Sequence, residues 1–360
     1  MTAHTPTRRP HRRPPLPRPL ASPLSRIYRA ILTRRNRAFN RGTNVTRLPI
    51  PVISVGNLSV GGTGKTPMVR CITQWLTDAG AKPAIAMRGY KSHPSSKSDE
   101  QLEHADAFPS VPIIAQPDRL AGLQPLIEER CIDCAILDDG FQHRTIARDL
   151  DIVLLDATRN VFADRCLPAG WLREPVTSLS RAHIVILTHC ESAHPQSIAE
   201  QRKKLTDLLN NRPILEAHHH WDHLITRTGT LPVESLTAKP VMIACGIGNP
   251  TAFINQARAA GANIKSQLIR RDHHNWHRTD VRALHKLSQS SSCATHRPAI
   301  LTTGKDWHKL EPLLPPDVNL LMPALSLKCV PEESTLKDRV LQTCRSKASA
   351  HSHDTIEARG

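Results

Sequence analysis

The chain has 360 residues and a formal net charge of +16, and this length is enough for two domains of ordinary size. No stretch approaches the roughly 18 apolar residues of a membrane-spanning helix, and the amino terminus lacks the apolar core of a secretory signal. The sequence therefore predicts a cytoplasmic protein whose nine cysteines are reduced thiols rather than a disulfide framework.

The positive charge is concentrated at the amino terminus, where residues 1–50 contain twelve arginines and no Asp, Glu or Lys. Residues 1–22 are rich in Pro and Arg, which predicts a disordered tail. The next segment predicts a basic amphipathic helix, which can lie on anionic headgroups or pack against the protein body, and the two alternatives are compatible. The apolar stripe of this helix consists of Ile27, Ile31 and Leu32, with Tyr28 nearby.

From Pro51 onward, short apolar runs alternate with segments of helical spacing, which predicts α/β architecture with a parallel sheet. The region after residue 215 lacks helical periodicity and resembles a linker with short strands. We therefore predict a P-loop domain over residues 23–220, which includes the amphipathic helix, and a smaller α/β domain over residues 221–345. The polar residues 346–360 are predicted to be disordered.

The stretch VGNLSVGGTGKTP, residues 55–67, follows an apolar strand and precedes a segment with helical spacing. Its end matches the P-loop pattern G-x-x-x-x-G-K-[ST], except that Ser59 stands where the first glycine is expected. In such a loop the backbone N–H groups surround a polyphosphate, Lys65 contacts the outer phosphates, and Thr66 binds Mg²⁺. The alternative is a simple glycine-rich turn. The predicted nucleotide-binding residues are Ser59, Val60, Gly61, Gly62, Thr63, Gly64, Lys65 and Thr66.

A second stretch, AILDDGFQHR at residues 135–144, is an apolar strand that ends in Asp138 and Asp139. A carboxylate at this end of a strand can reach the Mg²⁺ held by Thr66, as in a Walker B element. Adjacent acids repel each other unless a cation balances them. The DDG sequence alone is a common turn, but together with the P-loop it predicts a metal site.

Three further clusters have metal-like spacing. The pair in CIDC, residues 131–134, has no second cysteine pair at zinc spacing, so core cysteines are predicted. The histidines of HHHWDH, residues 218–223, could bind a transition metal, but a linker with clustered histidines is the favoured interpretation. The third cluster is DHHNWH, residues 272–277.

Five motifs occur in the order seen in the tetraacyldisaccharide 4'-kinases, and the chain resembles that family from about residue 24 to about residue 330. They are VGNLSVGGTGKTP, RGY (88–90), DDGFQH (138–143), LPAGWLREP (167–175) and DHH (272–274). The resemblance implies phosphorylation, with ATP and Mg²⁺, of the 4'-hydroxyl of a tetraacylated glucosamine disaccharide 1-phosphate in lipid A biosynthesis. It also implies two α/β/α sandwich domains with the active site between them. The expected protein is a monomer bound peripherally to the cytoplasmic face of the inner membrane.

The resemblance also implies roles for residues outside the P-loop. The sequence SDEQ at 98–101 is similar to the family's GDEP, which implies that Asp99 is the general base and Glu100 a ligand of the metal site. His273 resembles the histidine that pairs with this aspartate, and this interpretation is favoured over a metal cluster at 272–277. An aspartate positioned by a histidine can accept the proton of a sugar hydroxyl as the phosphoryl group arrives.

Four more side chains are implied to lie around the nucleotide or substrate. Gln142 and His143 are expected near the phosphates. Arg88 and Arg173 could hold anionic oxygens, although a structural salt bridge is an equal alternative for each arginine. The loop 91–98 is shorter than is usual in the family, which leaves a related glycolipid as an alternative acceptor.

Two other classes of function remain as alternatives. A regulatory P-loop ATPase would share GGTGKT, but the position of that group's signature lysine holds Val60. A nucleic-acid-binding protein could use the arginine-rich arm, but no zinc finger, helix-turn-helix or RNA-binding motif accompanies it. No specific nucleic-acid partner is therefore predicted.

Overall fold

The computed structural model describes residues 16, 18–89, 98–237, 239–272, 274–290, 298–330 and 333–357. The strands are β1 (Val52–Asn57), β2 (Pro83–Met87), β3 (Ile113–Ala115), β4 (Cys134–Asp138), β5 (Leu150–Asp156), β6 (Ile184–Thr188), β7 (Ile214–Thr226), β8 (Gly229–Pro232), β9 (Pro240–Cys245), β10 (Asn263–Ile269), β11 (Ala299–Thr302) and β12 (Leu320–Val330). The helices are α1 (Arg18–Asn40), α2 (Lys65–Asp78), α3 (Asp99–Ala107), α4 (Arg119–Glu128), α5 (Pro195–Leu209), α6 (Pro250–Ala259), α7 (Arg278–Ser290), α8 (Gly304–Leu310) and α9 (Glu333–Glu357).

The chain divides into two compact units. The first unit contains residues 1–219 and 327–360, and the second contains residues 220–326. The sequence had assigned residues 327–345 to the carboxy-terminal domain, which is wrong because the chain returns to the first unit at Leu327. Leu336 and Val340 of α9 belong to the same apolar cluster as α2, and this burial explains the return.

The first unit is built on a parallel sheet with the strand order β7-β6-β5-β1-β4-β2-β3. All six residues of β1 are buried, as in strands that helices cover on both faces. Ile53 lies in one apolar cluster with Ile72 of α2, and Val52 lies in another with Leu123 of α4. Because β1 and β4 are parallel neighbours, the loop after β1 and the acids that end β4 meet at one edge of the sheet.

The amphipathic segment forms α1, which begins at Arg18 rather than after residue 22, so residues 18–22 are not part of a disordered tail. Its stripe divides between two faces. Leu32 is buried, and the Tyr28 hydroxyl donates a hydrogen bond to the carbonyl of Arg173 (3.0 Å). Ile27 and Ile31 are instead 58% and 62% exposed.

A buried glutamate anchors α1 to the first unit. Glu174 is fully buried and accepts a 2.7 Å hydrogen bond from the Asn36 side chain and a 3.0 Å bond from Arg181. Arg35 of α1 lies 3.8 Å from the same carboxylate. A buried charge is stable only when it is paired in this way, so the motif LREP fixes the position of α1.

The second unit contains a parallel sheet with the order β10-β9-β11-β12. Part of β7 pairs with β8 as an antiparallel hairpin in the same unit. Its apolar core includes Trp221, Leu224, Ile243 and Phe253. The region predicted as a linker is therefore a 13-residue strand whose end forms a hairpin with β8.

Two other sequence predictions concern the carboxy terminus and membrane crossing. The tail 346–360 is not irregular where it is described, because α9 continues to Glu357. Among the described residues, no helix has the length and apolar character that crossing a membrane requires.

Candidate active site

The glycine-rich loop joins β1 to α2 and leaves the start of that helix uncapped. Gly64 is the N-cap of α2 in a left-handed conformation (φ 80°), and no side chain caps the helix. Gly61 also has a positive φ of 130°, so glycine meets a conformational need at both positions. Uncapped N–H groups at a helix start form a binding site for phosphate.

Hydrogen bonds with Asn57, Thr188 and Trp171 hold this loop in place. The amide of Asn57 donates hydrogen bonds to the Ser59 carbonyl (2.8 Å) and to the Thr63 hydroxyl (3.0 Å). The Thr188 hydroxyl at the end of β6 donates to the Thr63 carbonyl (3.0 Å). The backbone N–H of Val60 donates to the carbonyl of Trp171 (2.9 Å). The loop is therefore preorganised, so little ordering remains to oppose ligand binding.

Asp138 at the end of β4 and Asp139 directly after it have different partners. Asp139 lies 3.5 Å from the Lys65 ammonium and accepts a 2.6 Å hydrogen bond from Arg173. Asp138 is buried, and one of its oxygens lies 3.1 Å from Nε2 of the fully buried His104. Separate partners explain how adjacent carboxylates coexist at this edge of the sheet.

The charge of Asp139 is stabilised by its neighbours. Burial alone would raise the pKa of this carboxyl, but the cations Lys65 and Arg173 outweigh it and hold the pKa below its usual value. The buried Arg119 also lies close, and its guanidinium donates weak hydrogen bonds of 3.4–3.5 Å to the Asp139 carbonyl. Asp139 therefore stays ionised at neutral pH.

Gln142 and His143 follow the acid pair, but their contacts differ from each other. The Gln142 amide donates to the Asn57 carbonyl at the end of β1 (2.9 Å), and its oxygen lies 3.4 Å from Arg173. Gln142 thus supports the start of the phosphate loop. The His143 ring lies 3.0 Å from the Thr145 hydroxyl.

His143 provides a prediction about pH. Burial, followed by the charges of Arg119 and Arg148, lowers the pKa of His143 to about 4, whereas an unfolded histidine titrates near 6.5. The unfolded chain therefore binds more protons between these values. The stabilisation is complete above about pH 6.5 and is lost as the pH falls toward about 4. We expect His143→Gln to reduce the loss of unfolding free energy between about pH 7 and about pH 4.5.

Denaturant unfolding monitored by circular dichroism at the two pH values checks this expectation. His220→Gln is the matched control, because His220 is exposed on β7. Equal acid sensitivity of wild type and His143→Gln would contradict the assignment.

The structure places the acidic residues that follow the shortened loop at the start of α3. Ser98 is the N-cap and accepts a hydrogen bond from the Gln101 backbone N–H (3.3 Å). Asp99 is the first residue of the helix, and Glu100 follows with an exposed side chain. His273 lies outside the described residues, so its pairing with Asp99 stays a prediction.

Sequence reasoning missed His104 and Arg119, and it left two interpretations open for Arg173. His104 reaches Asp138 from α3, and Arg173 reaches Asp139 across 34 positions of sequence. A histidine on a short helix gives no pattern that distinguishes it from a surface residue. The LREP motif was the only sequence signal for Arg173, and the structure shows a salt bridge to a site residue.

The cysteine pair at 131–134 and the cluster at 272–277 have different surroundings in the structure. Cys134 is buried in β4 as predicted, whereas Cys131 is exposed and is not a core cysteine. In the cluster 272–277, His274 contacts Asp280 (3.0 Å) and the Trp276 ring N–H donates to Asp306 (2.8 Å). These described contacts belong to a structural polar network.

Known proteins with the same organisation identify the family. The chain matches the family described as LpxK, tetraacyldisaccharide-1-P 4'-kinase, over residues 17–345. The tetraacyldisaccharide 4'-kinase of Anaeromyxobacter dehalogenans strain 2CP-1 is 32% identical over 307 residues, which cover 80% of this chain and 79% of the relative. The protein of the same name from Syntrophus aciditrophicus is 34% identical over 317 residues, covering 80% and 83%.

A solved structure agrees with these relatives. The crystal structure of LpxK from Aquifex aeolicus in complex with ATP superposes with a TM-score of 0.70 at 29% identity, and it covers 89% of this chain and 98% of the other. The family match over residues 17–345 includes both the phosphate loop and the acid pair at the end of β4. This chain therefore belongs to the tetraacyldisaccharide-1-P 4'-kinase family.

Proposed function

We propose that this protein transfers the γ-phosphoryl group of ATP to the 4'-hydroxyl of a tetraacylated glucosamine disaccharide 1-phosphate in lipid A biosynthesis. The observation that supports it most is the arrangement at the ends of β1 and β4. There a preorganised glycine loop lies beside Lys65, and Lys65 lies 3.5 Å from an aspartate that also binds Arg173. Family membership supports the acceptor, and the ATP complex of the Aquifex aeolicus protein supports the donor.

The residues at this site fit a magnesium ion. Mg²⁺ prefers oxygen ligands. One oxygen of Asp139, Oδ1, is buried and accepts no hydrogen bond within the described part of the chain, and the Lys65 ammonium lies 3.5 Å from it. The ion would be held by Thr66, Asp138 and Asp139, with Glu100 as a further proposed ligand. When bound, Mg²⁺ would neutralise charge on the phosphate oxygens.

The protein's own cations have complementary roles. Lys65 is at the first position of α2 and would contact the outer phosphate oxygens of ATP. If Lys65 turns toward phosphate, Asp139 keeps the 2.6 Å bond from Arg173, so its carboxylate does not become an unpaired buried charge. Because Arg173 stays bound to Asp139, Lys65 can turn away from this carboxylate and bind the nucleotide.

We assign Asp99 as the general base and His273 as the residue that orients it. The family pattern SDEQ supports the first assignment, and DHH supports the second. In the transfer step, Asp99 accepts the proton of the 4'-hydroxyl while the sugar oxygen bonds to the γ-phosphorus and ADP leaves. Because Asp99 accepts this proton, positive charge does not develop on the attacking sugar oxygen.

The membrane is the proposed location, on its cytoplasmic face, because the acceptor carries acyl chains. Leu24, Ile27 and Ile31 form an exposed apolar row on α1, at the i, i+3 and i+7 spacing of one helix face. Arginines surround this row, and each contributes about 1 kcal/mol near an anionic surface, screened by salt. These features support peripheral binding through α1.

We expect the double substitution Ile27→Ser with Ile31→Ser to weaken binding to anionic phospholipid vesicles. Each isoleucine is more than half exposed, so insertion of both is worth about 2 kcal/mol, or about 30-fold in partition coefficient. Vesicle co-sedimentation measures the effect. The matched control is Ile269→Ser with Val330→Ser, which removes exposed apolar residues outside α1. Equal losses in the two variants would contradict a specific role for α1.

Transfer of label from γ-³²P-ATP to tetraacyldisaccharide 1-phosphate in detergent micelles tests the proposed reaction. Labelled lipid should appear only when ATP, Mg²⁺ and acceptor are all present. Release of labelled inorganic phosphate without labelled lipid would favour the regulatory ATPase instead. Labelling of a different acylated sugar in place of this acceptor would indicate a related glycolipid kinase.

A further inference from the structure

Two histidines and one glutamate lie together beside the phosphate loop, and the proposed phosphoryl transfer does not use them. His189 directly follows β6, Glu191 lies in the short 3₁₀ turn after it, and His219 belongs to β7. All three are in the first unit. One potential ligand atom from each lies within 4.8 Å of the others.

The distances among the three ligand atoms match a single small ion. The Nδ1 atoms of His189 and His219 are 3.1 Å apart. Oε1 of Glu191 lies 3.4 Å from Nδ1 of His219 and 3.9 Å from Nδ1 of His189. Three atoms at these separations have a common point about 2 Å from each, which is the length of zinc–imidazole and zinc–carboxylate bonds.

The surrounding hydrogen bonds favour the ligand form of His189 and orient the Glu191 carboxylate. Nε2 of His189 lies 3.3 Å from the carbonyl of Gly62 in the phosphate loop. A carbonyl only accepts, so Nε2 carries the hydrogen and Nδ1 keeps its lone pair. Metal-binding histidines commonly donate their other ring N–H to a carbonyl in this way. The backbone N–H of His219 donates to Oε2 of Glu191 (3.3 Å), which orients Oε1 toward the rings.

A neighbouring set fits a metal less well. Cys190, Glu216 and His218 also lie within 4.8 Å of one another. However, Glu216 accepts a 3.0 Å hydrogen bond from Arg202, and the Cys190 thiol donates to the Leu187 carbonyl (3.2 Å). A metal would have to displace the thiol interaction, and it would compete with Arg202 for the Glu216 carboxylate.

We propose that His189, Glu191 and His219 form a binding site for one divalent transition-metal ion of the zinc class. Imidazole nitrogen and carboxylate oxygen suit Zn²⁺ and its neighbours Co²⁺ and Ni²⁺. Three protein ligands leave at least one position for water. This inference does not depend on the proposed kinase reaction.

Calorimetric titration of Zn²⁺ into the nucleotide-free, full-length protein tests the site. Wild type should bind one equivalent. Loss of groups that merely support a ligand weakens metal binding by about 10- to 100-fold, so Glu191→Gln and His219→Ala should each weaken it by at least about 100-fold. His220→Ala changes the adjacent, exposed histidine of β7 and should leave the affinity unchanged.

Thermal unfolding of wild type and Glu191→Gln gives a second readout. It does not use His219→Ala, so a folding defect in that variant would not affect it. Zn²⁺ should raise the melting temperature of wild type, because a ligand of the native state stabilises it, but not that of the isosteric Glu191→Gln. Equal Zn²⁺ affinity of wild type and Glu191→Gln would overturn the proposal. So would a loss of affinity in His218→Ala without a loss in Glu191→Gln.

Discussion

Substitution of Lys65 by alanine is expected to lower phosphoryl transfer by about 1000-fold or more, which in practice abolishes it. Lys65 begins α2 at the phosphate loop, and its ammonium lies 3.5 Å from Asp139. Without it, negative charge on the transferring group would lose the cation at the start of α2. Initial rates of lipid labelling at saturating ATP and acceptor measure the effect.

The fold should tolerate this change. Asp139 keeps its 2.6 Å hydrogen bond from Arg173, so the melting temperature of Lys65→Ala should stay close to that of wild type. Lys203→Ala, an exposed lysine on α5, is the matched control and should retain full activity. A Lys65→Ala rate above about one tenth of wild type would show that this loop does not bind the transferring phosphates.

Substitution of Asp99 by alanine is expected to lower kcat by about 100- to 10,000-fold, the usual contribution of a general base. ATP affinity should stay nearly intact, because the predicted role of Asp99 concerns the acceptor hydroxyl and not the nucleotide. Asp99 begins α3 directly after its Ser98 cap. Single-turnover rates and equilibrium ATP binding separate the two effects.

If Asp99 only stabilises the start of α3, a different result is expected. Such a residue stabilises the helix by only about 0.3 to 1 kcal/mol through the helix dipole, so its loss would lower the melting temperature without removing the acidic limb of the pH–rate profile. Asp106→Asn, at the other end of α3 and exposed, is the control. Turnover at the wild-type level in Asp99→Ala would show that the base lies elsewhere.

The phosphate loop and the acid pair were predictable from sequence because each depends on neighbouring residues. A buried strand, a run of glycines and Lys-Thr at a helix start occur within 15 residues of one another. The pairing of Arg173 with Asp139 is different, since 34 residues separate the partners. Only the fold of the chain determines that contact, and the same holds for His104 and Asp138.

The errors of the sequence analysis also have physical causes. Strand β7 was predicted as a linker because its histidines obscured the apolar positions Leu215, Ala217, Trp221 and Leu224, which are buried. Helix α9 has little amphipathic pattern, and only Leu336 and Val340 are buried among its described side chains. Its return to the first unit therefore had no strong signal in the sequence.

Helix α1 shows that residues of one apolar stripe can differ in burial. The sequence left open whether the stripe faces a membrane or the protein. In the structure Leu32 is buried, whereas Ile27 and Ile31 are exposed. Periodicity identifies which residues share a stripe, but the contacts that the folded chain makes with the helix decide which of them are buried.

The most direct measurement is the position of the new phosphate on the lipid product, determined by phosphorus–proton correlation NMR after incubation of tetraacyldisaccharide 1-phosphate with ATP and Mg²⁺. A new phosphorus signal coupled to the proton at the 4' carbon, absent from the Lys65→Ala reaction, is the expected result. A phosphate at another hydroxyl, or ATP consumption with an unchanged lipid, would contradict the proposed function.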